Sequence, residues 1–449
     1  MKSLLTYLRL MDGKTLSCKL ILASVLIFMG FLCFPVMILT FVLVSVFIIC
    51  ERNMGSFLYV LFFMPFMSVF RFENTIGLSF WSLLIVVFVI VNGIRYIVDV
   101  TKKEKKINWK LIVPFLVFFV YIAIPLNHKF NLVNVGETAV WLTLFYLLIV
   151  YFDEIKLPTY LNALLAGILY SSFIGLFSAN FTYFSDLIGV FYIGATHRFS
   201  GLMVNPNVYY ELMLIALTLI YVLIYNKQIK KTYLLLVLPL TIFGILSISK
   251  TFAMALALLM VLILISCVVK FRKDKLLIIG FMFVLVFVAF LLAFTQSQSL
   301  FSRVETVQEV ATATEAEQQA DAILTGRFSI WQLYIEDFTS SWTNLIFGKG
   351  LGSATGLIPG TNSHNAYIQF VYELGLLGAD IFVRCLISLY RLAKVKFKKD
   401  VLKVNIFPLI IVLACFVVEN HFFSQVGNIL MILALIAFFY KREKIHDNT

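Results

Sequence analysis

Long apolar stretches alternate with short polar, mostly basic turns along almost the whole chain. The apolar runs are about 15–25 residues long and show no period-two alternation, which is the signature of membrane-crossing helices and not of barrel strands. Fourteen candidate spans follow, at about 20–34, 36–50, 57–70, 76–98, 111–126, 138–152, 157–178, 207–225, 233–249, 251–269, 276–295, 367–393, 404–419 and 426–440. The run 20–50 has two readings: a pair of spans, or one long tilted helix kinked at Pro35. The predicted fold class is therefore all-α, a polytopic membrane helix bundle of about 12–14 transmembrane helices with a long extracytoplasmic loop carrying short helices.

Composition sharpens this picture. Hydrophobic residues make up 61% of the 449 and charged residues only 13%, with a mean hydropathy of +0.97. Soluble domains carry about 25% charged residues, so a single soluble core is excluded and lipid is the expected solvent. In lipid each segment must pair its own backbone N–H and C=O groups, which selects helices. The net charge of +12 invites a nucleic-acid reading, but its distribution rejects it. The basic residues cluster between apolar runs, as TKKEKK (101–106), NKQIKK (226–231), KFRKDK (270–275) and KVKFKKD (394–400). That is the pattern of cytoplasmic loops, with at most a weak attraction to anionic membrane lipid. With the N-terminus inside, 29 of the 36 Lys and Arg residues fall on the cytoplasmic side. The other seven are Arg71, Lys129, Arg198, Lys250, Arg303, Arg327 and Lys349. Both termini are expected in the cytoplasm, with the first apolar run serving as a signal anchor. The six cysteines, Cys18, Cys33, Cys50, Cys267, Cys385 and Cys415, lie in or beside apolar runs without CxxC spacing. Neither a disulfide framework nor a zinc site is expected.

Four segments organise the chain: N-terminal transmembrane helices (1–178), transmembrane helices with an outer loop carrying Arg198 (179–295), a long extracytoplasmic loop (296–366), and C-terminal transmembrane helices with a cytoplasmic tail (367–449). Outer loops as long as 179–206 and 296–366 are usually functional or disordered. The acidic stretch SRVETVQEVATATEAEQQADAIL reads as a surface helix, with disorder as the alternative. The stretch GRFSIWQLYIEDF puts Phe328, Trp331, Tyr334, Ile335 and Phe338 on one helical face. Such a face suits a helix lying in the membrane interface, with a sugar-stacking platform as the alternative.

Chemistry concentrates on the outer side. Four of the five histidines, His128, His197, His364 and His421, fall there, and His446 lies in the tail. Cations are scarce outside, so Arg198, Lys250 and Arg327 at span ends or in patterned loops suggest an anionic ligand. The bland alternative pairs each with a carboxylate such as Asp186, Glu211 or Glu336. His364, in TNSHN, abuts a helix beginning near Ala366 that Ser363 or Asn365 can cap. A neutral imidazole there can accept a proton from a hydroxyl; a structural histidine is the alternative. Glu373 follows on the same helix as an intramembrane carboxylate, a substrate-binding candidate with a structural ion pair as its alternative. No P-loop and no HExxH motif is present, and FGKGLGS (347–353) lacks the strand-before, helix-after setting of a dinucleotide site. No cofactor, metal or nucleotide is expected.

The segments HRFSGLMVNPNVYYE (197–211), SISKTFAMAL (247–256), TGRFSIWQLY (325–334), FGKGLGS (347–353), SHNAYIQFVYELGLLG (363–378) and VENHF (418–422) together resemble the O-antigen polymerase and O-antigen ligase superfamily of bacterial envelope glycan enzymes. The resemblance covers about residues 190–425 and rests on the order and spacing of these pieces and on the outer placement of the long loop. It implies metal-independent glycan transfer on the outer face of the cell membrane, from a polyprenyl-pyrophosphate-linked oligosaccharide donor to a lipid-linked acceptor. Arg198 and Arg327 match the family's outer arginines and would bind pyrophosphate. His364 matches its loop histidine and would be the general base. Lys250 stands where the family often has an arginine, and a lysine is a point charge without the bidentate fork. The expected function is a repeat-unit polymerase for capsule, O-antigen or a similar surface glycan, with a flippase and a chain-length regulator as further partners. A ligase using the same donor, and a lipid-linked sugar transporter, are the alternatives.

Overall fold

The structure, a computed structural model, describes residues 13–32, 34–51, 54–67, 79–105, 107, 109–124, 132–180, 198–203, 205–247, 249–269, 280, 327–355, 357, 363–396, 403–417 and 425–440. Among these residues there are helices and short 3-10 turns and no strand. The α-helices are α1 Gly13–Leu32, α2 Phe34–Glu51, α3 Phe57–Phe63, α4 Phe80–Thr101, α5 Trp109–Ala123, α6 Leu132–Val150, α7 Leu157–Asn180, α8 Pro206–Tyr225, α9 Val237–Leu246, α10 Lys250–Val269, α11 Arg327–Thr339, α12 Trp342–Phe347, α13 Ala366–Lys396, α14 Phe407–Cys415 and α15 Gln425–Phe439. Three described stretches, Phe80–Thr101, Leu157–Phe177 and Pro206–Tyr225, are at least 18 residues long and apolar enough to cross a membrane; further apolar stretches of 10–17 residues include Pro35–Glu51, Val135–Val150 and Lys250–Ser266. The chain divides into two units, residues 1–106 with 143–223, and residues 107–142 with 224–449.

In the first unit, α1 and α2 form a hairpin. Lys19 Nζ lies 3.1 Å from Glu51 Oε1, whereas one continuous helix would hold residues 32 apart at about 48 Å. Of the two readings of 20–50, the structure takes the pair. Pro35 sits in the first turn of α2, where a missing N–H costs nothing. The ends of α4 and α6 and the starts of α3 and α7 meet in one polar cluster. The Glu154 carboxylate accepts from Arg95 Nη1 (2.8 Å) and Nη2 (2.5 Å) and from the Met54 backbone N–H (3.3 Å). Tyr151 donates to Asp99 at 2.6 Å, and its ring carries the Arg95 guanidinium at 4.2 Å. The sequence-based topology assigns all of these ends to one face of the membrane, so their gathering is what that topology requires.

The run 57–70 behaves differently from a lipid-facing span. Its helix α3 is flanked by 3-10 turns at Met54–Ser56 and Met64–Phe66, and every residue from Phe57 to Phe66 is buried. Trp81 donates to the Val60 carbonyl at 2.8 Å. A Cβ at Gly167 of α7 would fall 2.2 Å from the Phe62 oxygen, so only glycine permits this approach. The helix α8 is apolar and buried almost all round, as expected of an internal helix.

In the second unit, α5 shows two faces. Val113, Leu116, Val117, Val120 and Ile124 form an exposed stripe, while Phe118 is buried with Phe370, Leu374 and Cys385. An exposed apolar stripe of this length is unstable in water and natural against lipid. The expected span 276–295 and the acidic stretch SRVETVQEVATATEAEQQADAIL lie outside the described residues, apart from Gly280.

Candidate functional site

The site is built from the top of α13 in the second unit. Asn365 caps this helix: its Oδ1 accepts from the N–H groups of Tyr367 (2.9 Å) and Ile368 (3.0 Å). Ser363 Oγ donates to the Asn365 carbonyl at 2.9 Å. The Ala366 N–H donates to the Phe416 carbonyl beyond α14 at 2.9 Å. From the other side, Trp331 Nε1 of α11 donates to the Ser363 carbonyl at 2.8 Å. Between these fixed points His364 takes a left-handed φ of 45°. Histidine tolerates that region better than most side chains, and its persistence here reflects the bonds on either side. His364 is half-buried. Burial, and then the positive charge of Arg327, push its imidazole below the ordinary value of 6.5. The group is therefore neutral at pH 7, as a base must be. Two of the residues singled out from sequence, His364 and Arg327, thus act on each other across the loop.

Further along, α13 is broken. Gly375 has φ 66° and ψ 179°, a conformation open only to glycine. A break frees carbonyls from their helical partners, and each of those nearby is satisfied from outside the helix. The Lys349 N–H donates to Tyr372 O (2.8 Å) and the Gly350 N–H to Glu373 O (2.9 Å). Tyr121 of α5 donates to Leu374 O at 2.6 Å and also lies 2.9 Å from Phe347 O. The segment FGKGLGS is thus the strap that holds the break. Its glycines Gly348, Gly350 and Gly352 all have positive φ, at 73°, 91° and 82°, the region that favours glycine.

The strap also holds one of the chain's own carboxyl groups. Glu373 is buried, and its Oε1 accepts from the Ala354 N–H (3.3 Å) and from Gln369 Nε2 (2.9 Å), with the Gly352 N–H bonding the carboxyl as well. The strap's cation is also engaged: Lys349 Nζ lies 2.5 Å from both oxygens of Asp337, which accepts from Tyr372 Oη at 2.6 Å.

The aromatic face of α11 packs into the protein. Tyr334 and Phe338 are buried with Ala354 and Tyr372, and Ile330, Leu345, Ile368 and Val371 pack around them. Tyr334 meets Tyr372 edge-on at 5.0 Å and donates to the Ala354 carbonyl. The face expected in the membrane interface therefore serves the protein core, because α13 offers it an apolar partner. Ile335, expected on the same face, is exposed.

Lys250 is the first residue of α10 and half-buried, also in the second unit. Arg198 belongs to the first unit. Its Nη2 donates to Asn207 Oδ1 at 2.6 Å in the first turn of α8, and Asn205 Oδ1 accepts from the Asn207 N–H at 2.8 Å. The segment carrying Arg198 is strapped to α7: the Leu202 N–H donates to Ser171 Oγ at 3.1 Å, and a Cβ at Gly175 would meet Gly201 Cα at 2.8 Å. His128, His197, His421 and the VENHF segment lie outside the described residues. Sequence reasoning assigned no role to Tyr121 or Asn207, and gave Trp331 only a place on the aromatic face. A usable signal existed for Trp331, which stands one helical turn after Arg327.

Residues 233–383 match the family model described as O-antigen ligase. The match spans about a third of the chain, falls within the second unit, and contains Lys250, Arg327, the glycine strap, His364 and Glu373. Arg198 precedes it. A comparison with curated proteins finds no match. The family match supports the resemblance to the O-antigen ligase and polymerase superfamily.

Proposed function

We propose that the protein is a polysaccharide polymerase that transfers a polyprenyl-pyrophosphate-linked glycan to another lipid-linked repeat unit on the outer face of the cytoplasmic membrane. The observation that carries this reading is His364. An imidazole whose neutral form is favoured by burial and by the Arg327 charge is fixed at a left-handed turn, inside the segment that matches the glycan-transfer family. His364 removes the proton from an acceptor hydroxyl. The hydroxyl oxygen attacks the anomeric carbon of the donor glycan, a new C–O bond forms, and the bond to the pyrophosphate oxygen breaks. The pyrophosphate leaves on its lipid with the electron pair, and Arg327 stabilises the developing charge. The proton on His364 then passes to water.

Arg198, by resemblance, also binds pyrophosphate, and Lys250 adds a point charge. Glu373, a substrate-binding candidate by its place in the sequence, bonds the end of the glycine strap through the Ala354 N–H. The chemistry asks for no cofactor, because the pyrophosphate is already an activated leaving group. The outer placement rests on the distribution of basic residues. Flippase and chain-length regulator proteins are the partners such a polymerase would work with.

The ligase reading shares donor, base and cations, and the family description favours it. A reaction separates them. Purified protein in lipid, given polyprenyl-pyrophosphate-linked repeat unit as the only glycan, should yield a ladder of products. His364→Ala should bind donor yet lower transfer by about 10²–10⁴-fold. A ligase would give no ladder and would move glycan only to a different acceptor. A transporter would move the repeat unit across a vesicle without changing its length. Normal ladders from His364→Ala would remove His364 from the base role.

A further inference from the structure

The peptide plane between Ser363 and His364 decides where the imidazole goes. That plane is set by ψ of Ser363 and φ of His364, and the second of these is the left-handed 45°. A donor fixed onto the Ser363 carbonyl therefore locks both angles. Without it, rotating the plane lets His364 return to negative φ, which relieves backbone strain and swings its Cα–Cβ bond.

One such donor is the indole N–H of Trp331, at 2.8 Å. Nearby groups are committed to other bonds. Ser363 Oγ donates to the Asn365 carbonyl, Asn365 Oδ1 caps α13, and the Ala366 N–H reaches Phe416. The N–H is the sole polar group of an indole, so Trp331 has one polar contact to make and makes it here. Arg327 lies four residues earlier on the same helix, one turn away. The helix is anchored by Tyr334 and Phe338, buried on the same flank. One helix thus carries both the Arg327 charge that acts on His364 and the bond that fixes the backbone of His364.

We propose that Trp331 is the positioning residue of His364, its indole N–H holding the Ser363–His364 peptide so that the imidazole keeps the direction its left-handed turn gives it. This rests on His364 acting as the base. Trp331 touches no reacting atom and works through the peptide it bonds.

The test uses the full-length protein in lipid with lipid-linked repeat unit as substrate. Trp331→Phe removes the N–H and part of the ring. Replacement of Trp331 with 3-benzothienylalanine keeps the bicyclic shape and removes only the N–H. Both should lower kcat by about 10–100-fold, the scale of a misplacement near 1 Å, with KM for the donor and the unfolding temperature essentially unchanged for the benzothienyl variant. In a His364→Ala background neither change should lower the residual rate further, because the positioned group is already gone. Unchanged kcat in the benzothienyl variant overturns the proposal, as does a full additional loss in the His364→Ala background. Loss of activity that tracks loss of folded protein, with normal kcat per folded molecule, also overturns it and makes Trp331 structural. If His364→Ala alone retains normal transfer, the base assignment fails instead, and the two failures are told apart.

Discussion

Replacing Gly375 with alanine strikes the break in α13 directly. At φ 66° and ψ 179° an L side chain is strained by about 1–3 kcal/mol. The new Cβ would lie 2.4 Å from both Gly348 N and Ile346 O, so the strap must retreat by about 1 Å to reach ordinary contact. That movement would stretch the 2.8 Å bond from Lys349 to Tyr372 O and the 2.9 Å bond from Gly350 to Glu373 O beyond hydrogen-bonding range. Each stranded carbonyl costs about 1–3 kcal/mol. The combined penalty is roughly 3–9 kcal/mol, against a native stability of about 5–15 kcal/mol. Gly348→Ala should behave alike, since its Cβ would meet Glu373 O and Gly375 N at the same 2.4 Å. Gly93→Ala and Gly136→Ala are the controls: both are helical and have nothing within 4 Å, so alanine there is neutral or stabilises by up to about 1 kcal/mol. Thermal unfolding of purified protein in detergent should show the strap variants at least about 5 °C below the controls. A Gly375→Ala protein that melts with Gly93→Ala would refute the backbone contact, and with it the account of how the strap is held.

Three further outcomes follow from the site. Arg327→Lys and Arg198→Lys should each impair turnover while keeping the charge, because a point charge lacks the guanidinium fork; full activity in the double variant would argue against pyrophosphate binding. The rate of transfer should fall as pH drops and His364 gains a proton, with the acid limb below the ordinary 6.5 because burial and Arg327 favour the neutral form; Arg327→Gln should move that limb upward, and a limb that stays put would show that Arg327 does not act on His364. Single cysteines placed between residues 296 and 366 should react with an impermeant thiol reagent in intact cells; labelling only after permeabilisation would invert the topology.

Much of the framework is legible along the chain because its signals are local. The helix start near Ala366 and its cap follow from the polar run TNSHN, and the structure selects Asn365 from the two capping candidates. The aromatic spacing in GRFSIWQLYIEDF marks one face of α11 correctly at Tyr334 and Phe338. What covers that face is set by Tyr372 and Ala354, and a one-dimensional pattern carries no information about a partner. The strap is hidden for the same reason. FGKGLGS reads as an outer glycine loop, yet its N–H groups at Lys349 and Gly350 serve the carbonyls of Tyr372 and Glu373, and no spacing rule links the two segments. The break at Gly375 is equally silent, since a glycine inside an apolar run is compatible with an unbroken span.

The donors that complete the break arrive from far along the chain, and this bears on the order of assembly. Tyr121 precedes Leu374 by 253 residues and Phe347 by 226. As α13 first enters the bilayer, the carbonyls of residues 372–374 find their cheapest partners in the next turn of the same helix, so a straight helix is the form that inserts. The break therefore depends on the strap and on Tyr121 offering those carbonyls partners outside the helix. The bent geometry is thus a product of tertiary contacts over that distance, and removing the Tyr121 hydroxyl should be felt at Leu374, on the other side of the chain's length.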